Sequence, residues 1–185
     1  MIIGNPVLIS NNVADGTSDQ KSITAGIDST YDHYMFVLYD MHVATEDAWI
    51  GFQFDVGTAT AYAQNITSTN YKAYNSYADS GGVQNQPDAA LSTDATYQSL
   101  VATSQGMANQ ANSSMAAILH LVAPSNTSFL TNFYSDSSWL YQTSANFEMA
   151  ATVEGQILTT TAITRINFKT STGNFSGNID MYGVA

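Results

Sequence analysis

Residues 46–56 read EDAWIGFQFDV, and this stretch decides the fold. Ala48, Ile50, Phe52, Phe54 and Val56 fall on one side of a period of two, with Asp47, Trp49, Gly51, Gln53 and Asp55 on the other. Successive side chains of an extended segment point to opposite faces, so the alternation predicts a strand with one buried and one solvated face.

The same period recurs along the chain. In NFEMAATVEG (146–155), Phe147, Met149, Ala151 and Val153 alternate with Glu148, Ala150, Thr152 and Glu154. In TAITRINFKT (161–170), Ala162, Thr164, Ile166 and Phe168 oppose Arg165, Asn167 and Lys169. NIDMYGVA (178–185) sets Ile179 and Met181 against Asp180 and Tyr182. Two segments, YMFVLYDMHV (34–43) and MAAILHLVAP (115–124), are apolar at nearly every position. They predict central strands covered on both faces. ADGTSD (14–19), DSGGVQNQPD (79–88), SNTS (125–128) and STGNFSGN (171–178) separate the strands and are rich in residues that tolerate turn dihedrals. Residues 87–101 and 109–119 have helix-compatible composition without a sustained helical period, so at most one short helix is expected. The prediction is an all-β antiparallel sandwich, jelly-roll-like, occupying residues 1–185 as one domain.

Composition narrows the partners. Hydrophobic residues are 44% of the 185, so a core can form, while charged residues are only 10%. Ser, Thr, Asn, Gln and Tyr supply the surface instead, giving a polar, weakly ionised exterior that desolvates easily. Four basic residues (Lys21, Lys72, Arg165, Lys169) stand against fifteen acidic ones, a net charge of −11. Nucleic acid and anionic membrane surfaces both require clustered cations, and neither is an expected partner. There is no cysteine, hence no disulfide or thiolate chemistry. The opening MIIGNPVLIS lacks the basic and long apolar regions of a signal peptide, so synthesis in a cytoplasm without a cleaved address is expected.

Searching for chemistry yields little. Glu148 and Glu154 share a face, but six residues of strand separate them by roughly 20 Å, too far for a paired-carboxylate mechanism. Asp40 and His42 are a conceivable metal half-site without a second ligand pair, and His120, between Leu119 and Leu121, reads as a core or interface histidine. Asp15 and Asp19 around Gly16 lack the ligand ladder of a calcium loop. No catalytic residue, cofactor or metal is expected. Tyr71, Tyr74 and Tyr77 are three apart and would alternate faces on a strand. Together with Trp49 and Trp139 they are the candidates for interface or glycan contact, with the interface reading preferred because Tyr and Trp are enriched where proteins meet.

YDHYMFVLYDMHVATEDAWIGFQF (31–54), LHLVAPSNTSFLTNFY (119–134) and above all INFKTSTGNFSGNIDMYGVA (166–185) resemble a group of small virion structural proteins of tailed bacteriophages, especially marine ones. The closing pattern is carried by Phe168, Ser171, Gly173, Asn174, Gly177, Ile179, Tyr182, Gly183 and Val184. The resemblance covers about half the chain and leaves roughly residues 60–110 unmatched. It implies a non-enzymatic, homo-oligomeric virion subunit, with a trimer the first expectation, that contacts major capsid or tail proteins. Capsid decoration is the favoured role. A tail-fibre or baseplate receptor-binding protein for a host glycan, and a stand-alone carbohydrate-binding module, are the alternatives. Gly173 and Gly177 would supply turn geometry, and Tyr182 and Gly183 the closing strand.

Overall fold

The structure is a computed structural model and describes residues 4–76, 81–85, 90–101, 103–141 and 147–184. Among them the regular structure is entirely β: β1 Val7–Asp15, β2 Gln20–Ile23, β3 His33–Val43, β4 Ile50–Val56, β5 Ile66–Ser76, β6 Gly81–Asn85, β7 Ser92–Asp94, β8 Gln98–Ser99, β9 Met115–Val122, β10 Thr131–Tyr141, β11 Phe147–Ile157, β12 Ile163–Thr170 and β13 Phe175–Val184. No helix occurs among the described residues. The two helix-compatible stretches instead carry β7 and β8 and the start of β9, and the glycine-rich 79–88 segment, read as a turn, contains β6.

The strands form two antiparallel sheets. The larger has the order β1-β13-β3-β9-β10-β11-β5-β6, with β7 on β5, and the smaller β2-β12-β4-β8. Four pairs nest: β1 with β13, β2 with β12, β3 with β9 and β4 with β8. Those pairs lie alternately in the larger and the smaller sheet. This is a long antiparallel ribbon rolled up on itself, and β13–β3 and β12–β4 are the seams where it closes. That topology is the jelly roll. The additional strands widen one sheet only: β10, β11, β5 and β6 continue the large sheet beyond β9.

The core lies between the sheets. Phe52 and Phe54 of β4 meet Phe133 of β10 with ring centroids 5.2 and 6.1 Å apart, and Phe36 of β3 meets Phe168 of β12 at 6.0 Å. Burial alternates along β9, β10 and β11, and the face of β11 assigned from sequence is the inner one.

Three expectations about strand faces are corrected. β4 is buried on both faces rather than one. Gln53 donates to the backbone carbonyls of Gln64, Ala95 and Thr96, and the Asp55 carboxylate accepts from the backbone N–H of Val56 and Tyr62 and from Gln64 Nε2. Asn167 on β12 pairs with Ser22 and Tyr97 in the same layer. Residues 57–65 and 95–97 are thereby tied down over the outside of the small sheet, and its polar side chains are buried because each has backbone or side-chain partners. Conversely, β3 and β9 are covered on one face, not two. Tyr34, Phe36 and Leu38 are buried, whereas Met35, Val37 and Tyr39 are partly or largely exposed, as are Ala116 and Ile118. On β12, the register shift between Ile163 and Arg165 buries Ile163 in place of the Ala162 and Thr164 face read from strict alternation.

Candidate interaction surface

Loops of the chain itself close off the outside of the small sheet, while the outside of the large sheet stays open. Cross-strand register defines what that open face presents. One row runs Asn11, Asp180, Val37, Ile118, Asp136, Thr152, Tyr71 across β1, β13, β3, β9, β10, β11 and β5. The next runs Leu8, Tyr182, Met35, His120, Tyr134, Glu154, Thr69. A third, past β9, holds the small side chains Ala116, Ser138, Ala150 and Ala73. Direct partners share a face in an antiparallel sheet, so these rows form one continuous surface.

Its relief follows from side-chain size. The alanines and serines leave shallow depressions, one between Val37, Tyr39, Ala116, Ile118 and Asp136, another between Tyr71, Ala73, Asp136, Ala150 and Thr152. Rising beside them are Tyr71 (50% exposed), Ile118 (40%), Tyr134 (39%) and Tyr39 (37%). The electrostatics are one-sided. Asp136, Glu148, Glu154 and Asp180 lie on this face, whereas Lys21 is on β2, Arg165 and Lys169 are on β12, and Lys72 is buried on the inner side of β5. Every Lys and Arg of the chain is therefore off the open face, which offers apolar and tyrosine surface in a negative field.

Where β3 begins and β9 ends, this face carries a histidine pair. His33 Nε2 and His120 Nδ1 are 2.8 Å apart, and the His120 ring stacks on Tyr134 with centroids 4.3 Å apart and planes inclined by 14°. Partial burial pushes both imidazoles below the usual histidine value. His33 adds to the depression at His120, and Asp136 opposes it. His120 was read as a core or interface residue because leucines flank it. The two-residue period would have placed it with Ala116 and Ile118, facing out.

The residues singled out from sequence separate. Tyr71 is on the open face. Tyr74 is on the inner face of the same strand, half-buried edge-on against Phe147 at 5.9 Å, which is the alternation expected from their spacing. Tyr77 lies outside the described residues. Trp49 is half-buried against the core. Trp139 is 1% exposed and its indole N–H donates to the Gln105 carbonyl, so it is a core residue here and offers no surface contact. Its inward orientation follows from the same alternation that buries Phe133, Ser135 and Ser137.

Gly173, at φ +67°, makes the β12–β13 turn, and Gly177, at φ +139°, sits inside β13 at a bulge opposite Asp40, itself at φ +51°. A Cβ on Gly177 would come within 2.7 Å of the Asp40 carbonyl oxygen, so backbone conformation and close approach both demand glycine. Gly183 makes room for the Tyr31 ring, and Tyr182 lies half-buried on the open face with its hydroxyl 3.4 Å from Asp180. β13 is flanked by β1 and β3 along its length.

Among the described residues no group of three or more His, Asp or Glu side chains is disposed to hold a metal. Asp15 instead caps its own turn, accepting from Thr17 N–H at 3.0 Å, and Asp19 pairs with Lys169 at 3.5 Å. No helix among the described residues is long and apolar enough to cross a membrane.

No family model matches this chain. Neither a curated protein nor a solved structure matches it either.

Proposed function

We propose that this protein is a non-enzymatic structural subunit of a tailed-bacteriophage virion, most simply a capsid decoration protein, that docks through the open face of its large sheet. The observation that carries the reading is the asymmetry of the sandwich. Loops are hydrogen-bonded over the small sheet, whereas the widened large sheet leaves Ile118, Tyr39, Tyr71 and Tyr134 in water. Contiguous apolar and aromatic surface of this kind is characteristic of contact sites. The jelly roll, which recurs in viral capsid proteins and lectins, supports the reading by analogy of fold. The negative field of the open face fits a neutral or basic protein surface as the partner.

Exposed tyrosines beside Asp136 and Glu154 favour a second reading, a receptor-binding part of a fibre or baseplate that holds a host glycan. The two separate experimentally. Native mass measurement of the purified protein, beside imaging of particles made with and without it, gives shell-associated density and a closed oligomer for decoration. Density at the tail together with glycan binding that Tyr134→Ala abolishes supports the second reading. A monomer present on no particle overturns both.

A further inference from the structure

We propose that His33 and His120 form a two-imidazole site for a borderline-soft divalent cation, Zn²⁺ or Cu²⁺, on the open sheet face where β3 begins and β9 ends. The spacing of histidines along the chain gives no hint of it, because the pair is assembled diagonally across β3 and β9, where His33 faces Val122 and Met35 faces His120. The facing nitrogens, His33 Nε2 and His120 Nδ1, stand 2.8 Å apart. Two nitrogens bound to one zinc at 2.0–2.1 Å in tetrahedral geometry lie about 3.3 Å apart. To chelate, the rings need to separate by about half an ångström and to turn so that both lone pairs converge on one point beside the N···N line.

Today one of those nitrogens carries a proton shared in an N–H···N contact. Ligation requires both lone pairs, so that proton moves to a ring nitrogen facing outward, His33 Nδ1 or His120 Nε2. Neither outward nitrogen has another hydrogen-bond partner among the described residues. The surroundings suit a cation. Tyr134 stacks on His120 and fixes the ring. Asp136 and Glu154 add negative charge from β10 and β11, Tyr182 of β13 lies in the same row as His120 with Met35 between them, Asp180 stands in the neighbouring row, and no Lys or Arg lies on this surface. Burial already favours the neutral imidazoles that ligate. Two coordination positions stay open, for water or for a carboxylate or imidazole of whatever docks there. Cation binding does not depend on the virion reading and is tested without it.

The test is calorimetric titration of the full chain with Zn²⁺ alone and Cu²⁺ alone, at about pH 7.5 and about pH 5.5, with and without excess Mg²⁺. His33→Gln and His120→Gln are measured in parallel. The expected result is one ion per chain, Cu²⁺ bound more tightly than Zn²⁺. Affinity should fall roughly tenfold or more in either variant and at the lower pH, and Mg²⁺ should not interfere. In the unmodified protein, Cu²⁺ should broaden the imidazole resonances of His33 and His120 before those of His42, which keeps the test valid if a variant folds poorly. Absence of binding at millimolar ion, binding that the variants leave intact, or displacement by Mg²⁺, the mark of a carboxylate cluster, would each overturn the proposal.

Discussion

Phe133→Ala and Tyr134→Ala are adjacent substitutions that should have very different consequences. Phe133 is 2% exposed, its ring lies against Phe52 and Phe54 of the opposite sheet, and it fills the space left by Gly155, where a Cβ would come within 2.6 Å of its Cζ. It is the main aromatic link between the widened part of the large sheet and the small sheet. Truncating a buried phenylalanine costs about 3–5 kcal/mol, and the lost edge-to-face pairs place this site toward the upper end. For a chain of this size that is a drop in Tm of roughly 6–20 °C. Tyr134, one residue on, points to the open face and gives up only its stack on His120 and partial burial, about 0.5–1.5 kcal/mol. Urea unfolding followed by circular dichroism, with calorimetry for Tm, reads both. Comparable losses in the two variants, or a loss below about 1 kcal/mol for Phe133→Ala, would mean that the inner and outer faces of β10 have been assigned wrongly.

Gly177→Ala should destabilise by about 1–3 kcal/mol or more from its backbone conformation alone, with chemical denaturation as the check. Asn70→Leu should raise Tm, because both polar atoms of this fully buried amide lack a partner and an apolar side chain of similar size removes that cost of about 1–3 kcal/mol. Asp55→Ala should release residues 57–65, detected as faster amide exchange at Tyr62, at a cost of about 1–3 kcal/mol for the donors left behind. Stability should also fall with pH through the histidines. Both imidazoles have folded values depressed below the unfolded 6.5, so the unfolded chain takes up protons first and stability declines as pH drops below about 6.5 toward the folded values. His33→Gln/His120→Gln should flatten that part of the stability–pH curve. A separate loss at lower pH should remain, since hydrogen bonds from Thr17 and Thr30 hold Asp15 and Asp28 below the usual carboxylate value.

How much of this was legible in the sequence depends on how local the cause is. The period of two in β4, β11 and β13 is a local property of an extended backbone, and it predicted the strands and the inner face of β11, while the three-residue spacing of Tyr71 and Tyr74 implies opposite faces once their segment is a strand. Burial of the second face of β4 is not local. It depends on Gln53 and Asp55 recruiting backbone groups from segments up to 43 residues away. Apolar composition in β3 and β9 predicts two-sided burial, but Met35, Val37 and Ile118 face outward on a surface that none of the described residues covers, and composition alone does not distinguish the cases. β5 and β10 were harder still, because their inward positions include Asn70, Ser135 and Ser137, polar residues that mask the alternation. The histidine pair arises from register between two strands about 80 residues apart in sequence (His33 and His120 differ by 87), which no single-chain spacing rule captures.

The central claim, that the open face of the large sheet is what this protein presents to a larger particle, is tested most directly by imaging virions assembled with the unmodified chain and with Ile118→Arg, a substitution on the exposed face that leaves the core untouched. The account predicts jelly-roll density whose large sheet faces the particle, lost or strongly depleted in the Ile118→Arg particles although the variant folds. Full occupancy by the variant, or density oriented with the loop-covered small sheet against the particle, would contradict it.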